Sequence, residues 1–94
     1  MSGITGGEGD TETQIRNIFE RIKNILEETG SSMDKVINAT VYLTDLNDRQ
    51  KYFNTIWKEY FPENPPTRTC VEAGLAPPTK VEVTIIATIT EEKY

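Results

Sequence analysis

Apolar residues in the first third of the chain recur at spacings of three and four. This period is typical of one face of an α-helix that packs on a core. The stripe consists of Ile15, Ile18, Phe19, Ile22, Ile25 and Leu26. Before it, Thr11 and Gln14 have the spacing of a capping box with Thr11 as the N-cap. The pattern predicts a helix of about five turns, which Gly30 ends from the position just after the last turn.

A second apolar stripe with helical spacing lies in the middle of the chain. Leu46, Asn47 and Asp48 precede it as candidate caps, and Pro62, which cannot continue a helix, follows it. The stripe consists of Phe53, Ile56, Trp57, Tyr60 and Phe61. We therefore predict a second, shorter helix that ends at Pro62 and is followed by a stiff connection at residues 64–66.

Three other segments alternate between two kinds of side chain, which is typical of strands with one buried face. The predicted strands cover residues 36–44, 67–73 and 81–90. The buried faces of the first and third consist of Ile37, Ala39, Val41 and Leu43, and of Val81, Val83, Ile85, Ala87 and Ile89. The glycine-rich residues 1–9 are either a flexible leader or the remnant of a further strand. The charged residues 91–94 should be solvated.

The order helix, strand, helix, strand, strand predicts an α+β fold with two helices on one face of a small mixed sheet. The opposite face then carries polar and apolar side chains together: Asn38, Thr40, Tyr42, Arg68, Cys70, Glu72, Glu82, Thr84, Ile86 and Thr88. Such a mixture is expected on a surface that another subunit covers while leaving polar pockets. The alternative is a solvated face with a few scattered apolar residues.

Composition narrows the classes of function. With 94 residues, 36% of them hydrophobic, the chain is expected to form one globular domain over residues 1–94 and to gain from burial against partner subunits. The net charge of −5 disfavours nucleic acid and anionic membranes as partners. The absence of histidine removes Ser-His-Asp and Cys-His catalysis and the usual zinc ligands. One cysteine and no apolar run of membrane-spanning length predict a soluble, cytoplasmic protein.

Several segments in colinear order carry a resemblance to one family. Residues 38–48, NATVYLTDLND, resemble the strand and aspartate-containing turn of the Rid family of imine deaminases, formerly called YjgF. Residues 53–54 and 60–62 resemble its second helix and proline exit, and residues 81–83 with Ala87 resemble its closing strand. The most specific match is residues 66–71, PTRTCV, which resemble the family's signature strand Pro-Ala-Arg-Ser-Cys-Val. The similarity covers about residues 10–90.

The resemblance implies a chorismate-mutase-like subunit and a homotrimer whose sheets form an inner barrel, with clefts between neighbouring subunits. It also implies hydrolysis of 2-imino acids, or their enamine tautomers, to 2-keto acids and ammonia, without a cofactor or a metal. Family members usually open with a hairpin whose residues, including a tyrosine, help to line the cleft. This sequence begins at Met1-Ser2-Gly3 and has no tyrosine before Tyr42, so one wall of the cleft is in question. The segment between Cys70 and Glu82 is also slightly shorter than in the family.

The resemblance assigns roles to four residues. Arg68 would hold the substrate carboxylate through two parallel hydrogen bonds, and Glu82 would orient or deprotonate the attacking water. Cys70, two residues after Arg68 on one strand face, would form a small wall of the pocket; without a histidine to activate it, a nucleophilic role is disfavoured. Asn54 would contribute from the second helix. The alternatives are an Arg68 in an ordinary surface ion pair and a Glu82 that is only its structural partner.

Three functions from different classes are open from the sequence. The first is a 2-iminobutanoate and 2-iminopropanoate deaminase that uses Arg68 and Glu82. The second is a non-catalytic trimeric module that binds small carboxylic acids, which is favoured if the short opening segment disables the cleft. The third is an endoribonuclease or translation inhibitor, a description that some relatives have carried. The negative charge and the lack of histidine count against the third.

Overall fold

The chain was analysed as a computed structural model, which describes residues 3–88. The elements in chain order are β1 (Ile4–Thr5), α1 (Thr11–Glu28), a 3₁₀ turn (Met33–Lys35), β2 (Val36–Leu43), a π-helical turn (Arg49–Phe53) that continues into α2 (Asn54–Tyr60), β3 (Thr67–Glu72) and β4 (Val81–Ala87). The predicted helices and the first two predicted strands are confirmed to within a few residues at each end. The predicted end of the last strand, at residues 89–90, and the tail lie outside the described residues.

The sheet has four strands in the order β1-β4-β2-β3. β2 pairs with β3 in parallel, whereas β4 is antiparallel to both β2 and β1. The predicted mixed sheet is therefore confirmed, with β3 at one edge. Within residues 1–9, Ile4 and Thr5 form the short strand β1, which pairs with Val83 and Glu82.

Both helices lie on one face of the sheet, and the core fills the space between them. Phe19 of α1 is fully buried and packs against four aromatic rings of the second helical segment, with centroid separations of 5.6 Å to Phe53 and 5.0 Å to Tyr60. The buried apolar side chains are Ile15, Ile18, Phe19, Ile22, Leu26, Val36, Ala39, Val41, Leu43, Phe53, Ile56, Trp57, Phe61, Val81, Val83 and Ile85. Each large one stabilises the fold by about 1.5–3 kcal/mol. No helix among residues 3–88 is long and apolar enough to cross a membrane.

The first helix begins differently from its prediction. Its N-cap is Asp10, whose carboxylate accepts a hydrogen bond from the Thr13 N–H at 2.8 Å, so the capping box with Thr11 as cap is wrong. Gln14 does not reach back to a cap N–H. Its side chain is fully buried and instead bonds three backbone groups outside the helix. The predicted stop is confirmed, because Gly30 follows the helix with φ of +85°.

The predicted caps of the second helix do not cap it. Asp48 precedes the π-helical turn, but its side chain makes no capping hydrogen bond and accepts one from the Thr11 hydroxyl at 3.3 Å. The Asp45 carboxylate closes the preceding turn by accepting from the Asn47 N–H at 3.0 Å. These polar residues therefore build the turn and its contact with α1.

Two face assignments in the strands are corrected by the register. A bulge between Val36 and Asn38 leaves Ile37 52% exposed. Val36 instead takes the buried position that was predicted for Ile37. In β3, Arg68 pairs with Ala39 and Cys70 with Val41, so Arg68, Cys70 and Glu72 lie on the helix side, not on the opposite face. Neither alternating set of β3 is apolar, and its period therefore could not fix which set faces the helices.

Candidate functional site

The Arg68 side chain reaches from the edge strand onto the aromatic residues of the second helical segment. Its guanidinium carbon lies 5.0 Å from the Trp57 ring centroid and 5.5 Å from that of Phe53. These rings attract the cation through their faces but do not neutralise it. The Nη1 atom is buried without a hydrogen-bond partner among the described residues. A buried, uncompensated donor of this kind suits an anionic ligand.

Cys70 lies two residues beyond Arg68, on the same face of β3. Its side chain is half-buried. Burial raises the pKa of the Cys70 thiol, and the positive charges of Arg68 and Arg49 oppose that increase. The thiol is therefore protonated at neutral pH, which fits a small wall of a pocket better than a nucleophile.

Asn54 is placed where the π-helical turn passes into α2. Its N–H closes the turn onto the Arg49 carbonyl, and its Oδ1 is buried without a partner among residues 3–88. Asn54 directly follows Phe53, whose ring contacts Arg68. The structure thus places Arg68 and Cys70 on the helix side of β3, and Asn54 directly after the residue whose ring contacts Arg68. Arg68 and Asn54 each keep a buried polar atom without a partner among residues 3–88.

Glu82 is on the other side of the sheet. It pairs in register with Tyr42 of β2 and Thr5 of β1, so its half-buried side chain lies on the face without helices. The Glu82 carboxylate lies against the backbone of Gly3, at the position that a Cβ atom of residue 3 would take. The prediction that Arg68 and Glu82 share one face of a subunit is wrong, because the register of β3 places Arg68 on the helix side.

Sequence reasoning missed Arg49. It is the first residue of the π-helical turn, one turn before Phe53 and Asn54, and its charge acts on the Cys70 thiol. Along the chain it stands in an ordinary polar run, Arg49-Gln50-Lys51, and no local pattern distinguishes it from a solvated cation. Only the irregular turn, a geometry common at functional sites, reveals its position.

Other features of the surface are not connected with these residues. A depression of about 430 Å³ lies at the end of α2, lined in part by Met33, Tyr60 and Pro62, and it contains none of the predicted site residues. Within residues 3–88, no group of three or more His, Cys, Asp or Glu side chains is arranged to hold a metal ion.

Comparison with known proteins shows similarity over nearly the whole chain. A family model described as endoribonuclease L-PSP matches residues 2–89. A RutC family protein of Pyrococcus abyssi is 46% identical over 69 residues, which are 73% of this chain and 54% of that protein. A RutC family protein of Saccharolobus solfataricus is 39% identical over 77 residues, 81% of this chain and 60% of that protein. The chain thus spans about half the length of the curated relatives it matches.

Solved structures share the fold. A member of the YjgF protein family from Neisseria meningitidis superposes with a TM-score of 0.89 at 33% identity, covering 98% of this chain and 79% of that one. A member of the YjgF/YER057c/UK114 family from Mycobacterium tuberculosis gives a TM-score of 0.86 at 27% identity, covering 95% and 76%. The predicted arrangement of two helices on a mixed sheet is confirmed by these similarities as well as by the fold itself.

Proposed function

Because the chain belongs to the YjgF/Rid family, which the endoribonuclease L-PSP model describes, we propose that it is a 2-imino acid deaminase. It hydrolyses small 2-imino acids, such as 2-iminobutanoate and 2-iminopropanoate, to 2-keto acids and ammonia. The observation that carries the proposal is the guanidinium of Arg68, which lies over two rings and has a buried Nη1 with no acceptor among residues 3–88. A carboxylate supplies the missing charge and accepts two parallel hydrogen bonds from the guanidinium.

The working site is proposed to lie between two subunits of a homotrimer. Arg68 and Glu82 of one chain are on opposite faces of the sheet, so a ligand of a few carbons cannot contact both. β3 is an edge strand, and the sheet face that carries Glu82 has no helix on it. A neighbouring subunit that sets its helix-free face beside this edge brings its own Glu82 to the ligand held by Arg68.

The proposed chemistry needs one cation, one base and one water. Arg68 fixes the carboxylate, while the Asn54 carboxamide and the Cys70 wall orient the imine. As the water oxygen bonds to the carbon of the protonated imine, Glu82 of the neighbouring subunit takes a proton from the water and the nitrogen becomes a neutral amine. Glu82 then returns that proton to the amine. The carbon–nitrogen bond breaks as Glu82 takes the proton of the new hydroxyl group, which releases ammonia and leaves the 2-keto acid.

The test is a dehydratase reaction that generates 2-iminobutanoate, to which the purified protein is added. The wild-type protein is expected to accelerate loss of the imine. Glu82→Gln keeps the shape of the side chain but removes the base, so the rate should fall about 100-fold or more, with unchanged affinity for 2-ketobutyrate. Glu28→Gln, which changes an exposed carboxylate at the end of α1, serves as the matched control and should keep full activity.

The outcomes separate the roles of Glu82. Wild-type hydrolysis by Glu82→Gln would show that other groups handle the water. Loss of ligand binding and assembly together would make Glu82 a structural residue. Binding of 2-ketobutyrate without any acceleration by the wild-type protein would identify a non-catalytic carboxylate-binding module.

The description of the family model favours a second candidate, an endoribonuclease. The net charge of −5 and the absence of histidine oppose it, because RNA cleavage commonly depends on cationic groups and an acid–base pair. Incubating the same preparation with single-stranded RNA separates the candidates. Cleavage that Arg68→Lys and Glu82→Gln leave intact would place an RNA-cleaving activity outside the proposed deaminase site.

A further inference from the structure

The four arginines of the chain fall into two groups. Arg16 is paired with Glu59 through hydrogen bonds of 2.9 and 3.2 Å, and Arg21 donates to the Thr5 carbonyl at 2.6 Å. The side chains of Arg49 and Arg68 make no hydrogen bond or ion pair within residues 3–88. These two guanidinium groups are therefore available to an anion from outside the chain.

The two available arginines belong to neighbouring parts of the fold. Arg49 begins the π-helical turn, and the hydrogen bond from the Asn54 N–H to the Arg49 carbonyl puts Phe53 and Asn54 one turn after it. The Phe53 ring receives the Arg68 guanidinium at 5.5 Å. Cys70 lies two residues after Arg68 on the same face of β3, and the charges of both Arg68 and Arg49 act on its thiol.

The carboxylates on the neighbouring turn and strand are bound to other groups. Asp45 accepts from the Asn47 N–H, Asp48 from the Thr11 hydroxyl, and Glu72 from the Leu46 N–H at 3.2 Å. None of them forms an ion pair with Arg49 in the described part of the chain. In a protein with a net charge of −5, two cations that act on the same thiol and have no acidic partner within residues 3–88 are well suited to a ligand that carries two negative charges.

We propose that Arg49 selects substrates with a second carboxylate, so that the site prefers 2-imino dicarboxylic acids to their monocarboxylic counterparts. The inference rests on the proposed function. Arg68 holds the carboxylate next to the imine carbon, and Arg49 holds the carboxylate at the far end of the substrate. Arg49 is thus a specificity-determining residue, and the hydrolysis at the imine carbon is unchanged.

The test compares two keto acids with the same carbon chain, 2-oxoglutarate and 2-oxopentanoate, by calorimetry on the full chain. Wild-type protein should bind 2-oxoglutarate about tenfold or more tightly, since one charged hydrogen-bonded pair is gained. Arg49→Gln should remove this preference. Its affinity for 2-oxoglutarate should fall about tenfold, while its affinity for 2-oxopentanoate should stay within about twofold of the wild type. The matched control is Lys51→Gln, which removes an exposed cation from the same turn and should preserve the preference.

Each result decides between the proposals. Equal affinities of the wild-type protein for the two acids, or equal weakening of both by Arg49→Gln, would overturn the role of Arg49 while leaving a carboxylate site at Arg68. Equal loss of preference in Lys51→Gln would show a general charge effect and would also overturn it. Binding of neither acid would remove the proposed function and this inference together.

Discussion

Arg68 illustrates how an edge strand can present a cation to a ligand while keeping it in place. Its guanidinium lies over the Phe53 and Trp57 rings, and no carboxylate among residues 3–88 neutralises it. The free-energy penalty of keeping this cation partly buried without a counter-ion is offset when an anion binds, because each charged hydrogen bond contributes about 1.5–3 kcal/mol. A planar, two-pronged donor is the feature that lysine cannot reproduce.

We expect Arg68→Lys to weaken the binding of 2-ketobutyrate about tenfold or more. The charge is kept, but the parallel pair of hydrogen bonds and the contact of the guanidinium with the two rings are lost. Calorimetric titration measures the change. The control is Arg21→Lys, at an exposed guanidinium that donates to the Thr5 carbonyl, and its affinity should match the wild type. An unchanged affinity in the Arg68 variant would show that the carboxylate binds elsewhere.

At the residue scale, the sequence supplied candidate residues but not their arrangement. Arg68, Cys70 and Asn54 were proposed through their resemblance to a family motif, and the structure puts Arg68 and Cys70 on the helix side of β3 and Asn54 directly after Phe53. Their face could not be predicted, because in β3 the set Arg68, Cys70 and Glu72 is no more apolar than the alternate set, and only the pairing with Ala39 and Val41 decides it. The position of Arg49 is set by the irregular π-helical turn, which has no periodic signal in the sequence.

Among the elements, α1 was the most predictable, because its apolar stripe has a strong helical period and Gly30 ends it. Its attachment to the rest of the fold was not. The buried Gln14 amide donates to the carbonyls of Gly9 (3.0 Å) and Pro78 (2.9 Å), and its Oε1 accepts from the Lys80 N–H at 2.8 Å. These long-range partners, more than sixty residues away for two of the bonds, leave no local pattern.

We expect Gln14→Leu to lower the free energy of unfolding by about 2 kcal/mol or more, because it leaves three backbone groups without their partner. Urea unfolding at one fixed protein concentration measures the change, since the stability of an oligomer depends on concentration. The control is Gln50→Leu at the chain's other glutamine, which is exposed and should change stability by less than about 0.5 kcal/mol. Equal stability of the two variants would show that the three hydrogen bonds of Gln14 do not stabilise the fold.

At the scale of the whole molecule, the feature of interest is the sheet face opposite the two helices, called here the uncovered face. Both helices pack on the other face, yet Val71 and Ile86 of the uncovered face are 36% and 54% exposed. On the same face, Oδ1 of Asn38 is buried without a partner within residues 3–88. Apolar side chains beside an unsatisfied amide are typical of a surface that another subunit completes. The sequence predicted this mixed character, although it assigned the wrong residues of β3 to it.

The last prediction therefore concerns assembly. Light scattering at micromolar concentration should give three times the 10.6 kDa chain mass for the wild-type protein. Ile86→Lys places a charge on the uncovered face and should shift the mass towards the monomer, because an unpaired charge in an interface is strongly disfavoured. Asn24→Lys adds the same charge at an exposed position of α1 and should remain a trimer.

Activity gives this prediction a second readout. If each site uses Arg68 of one subunit and Glu82 of another, imine hydrolysis by Ile86→Lys should fall together with the trimer fraction. It should also recover as the protein concentration is raised and the trimer re-forms. Ile86 itself is four residues from Glu82, on the order of 13 Å along the strand, so it need not touch the ligand. A monomeric Ile86→Lys variant with wild-type activity would show that one subunit contains a complete site, and a monomeric wild-type protein would remove the trimer altogether.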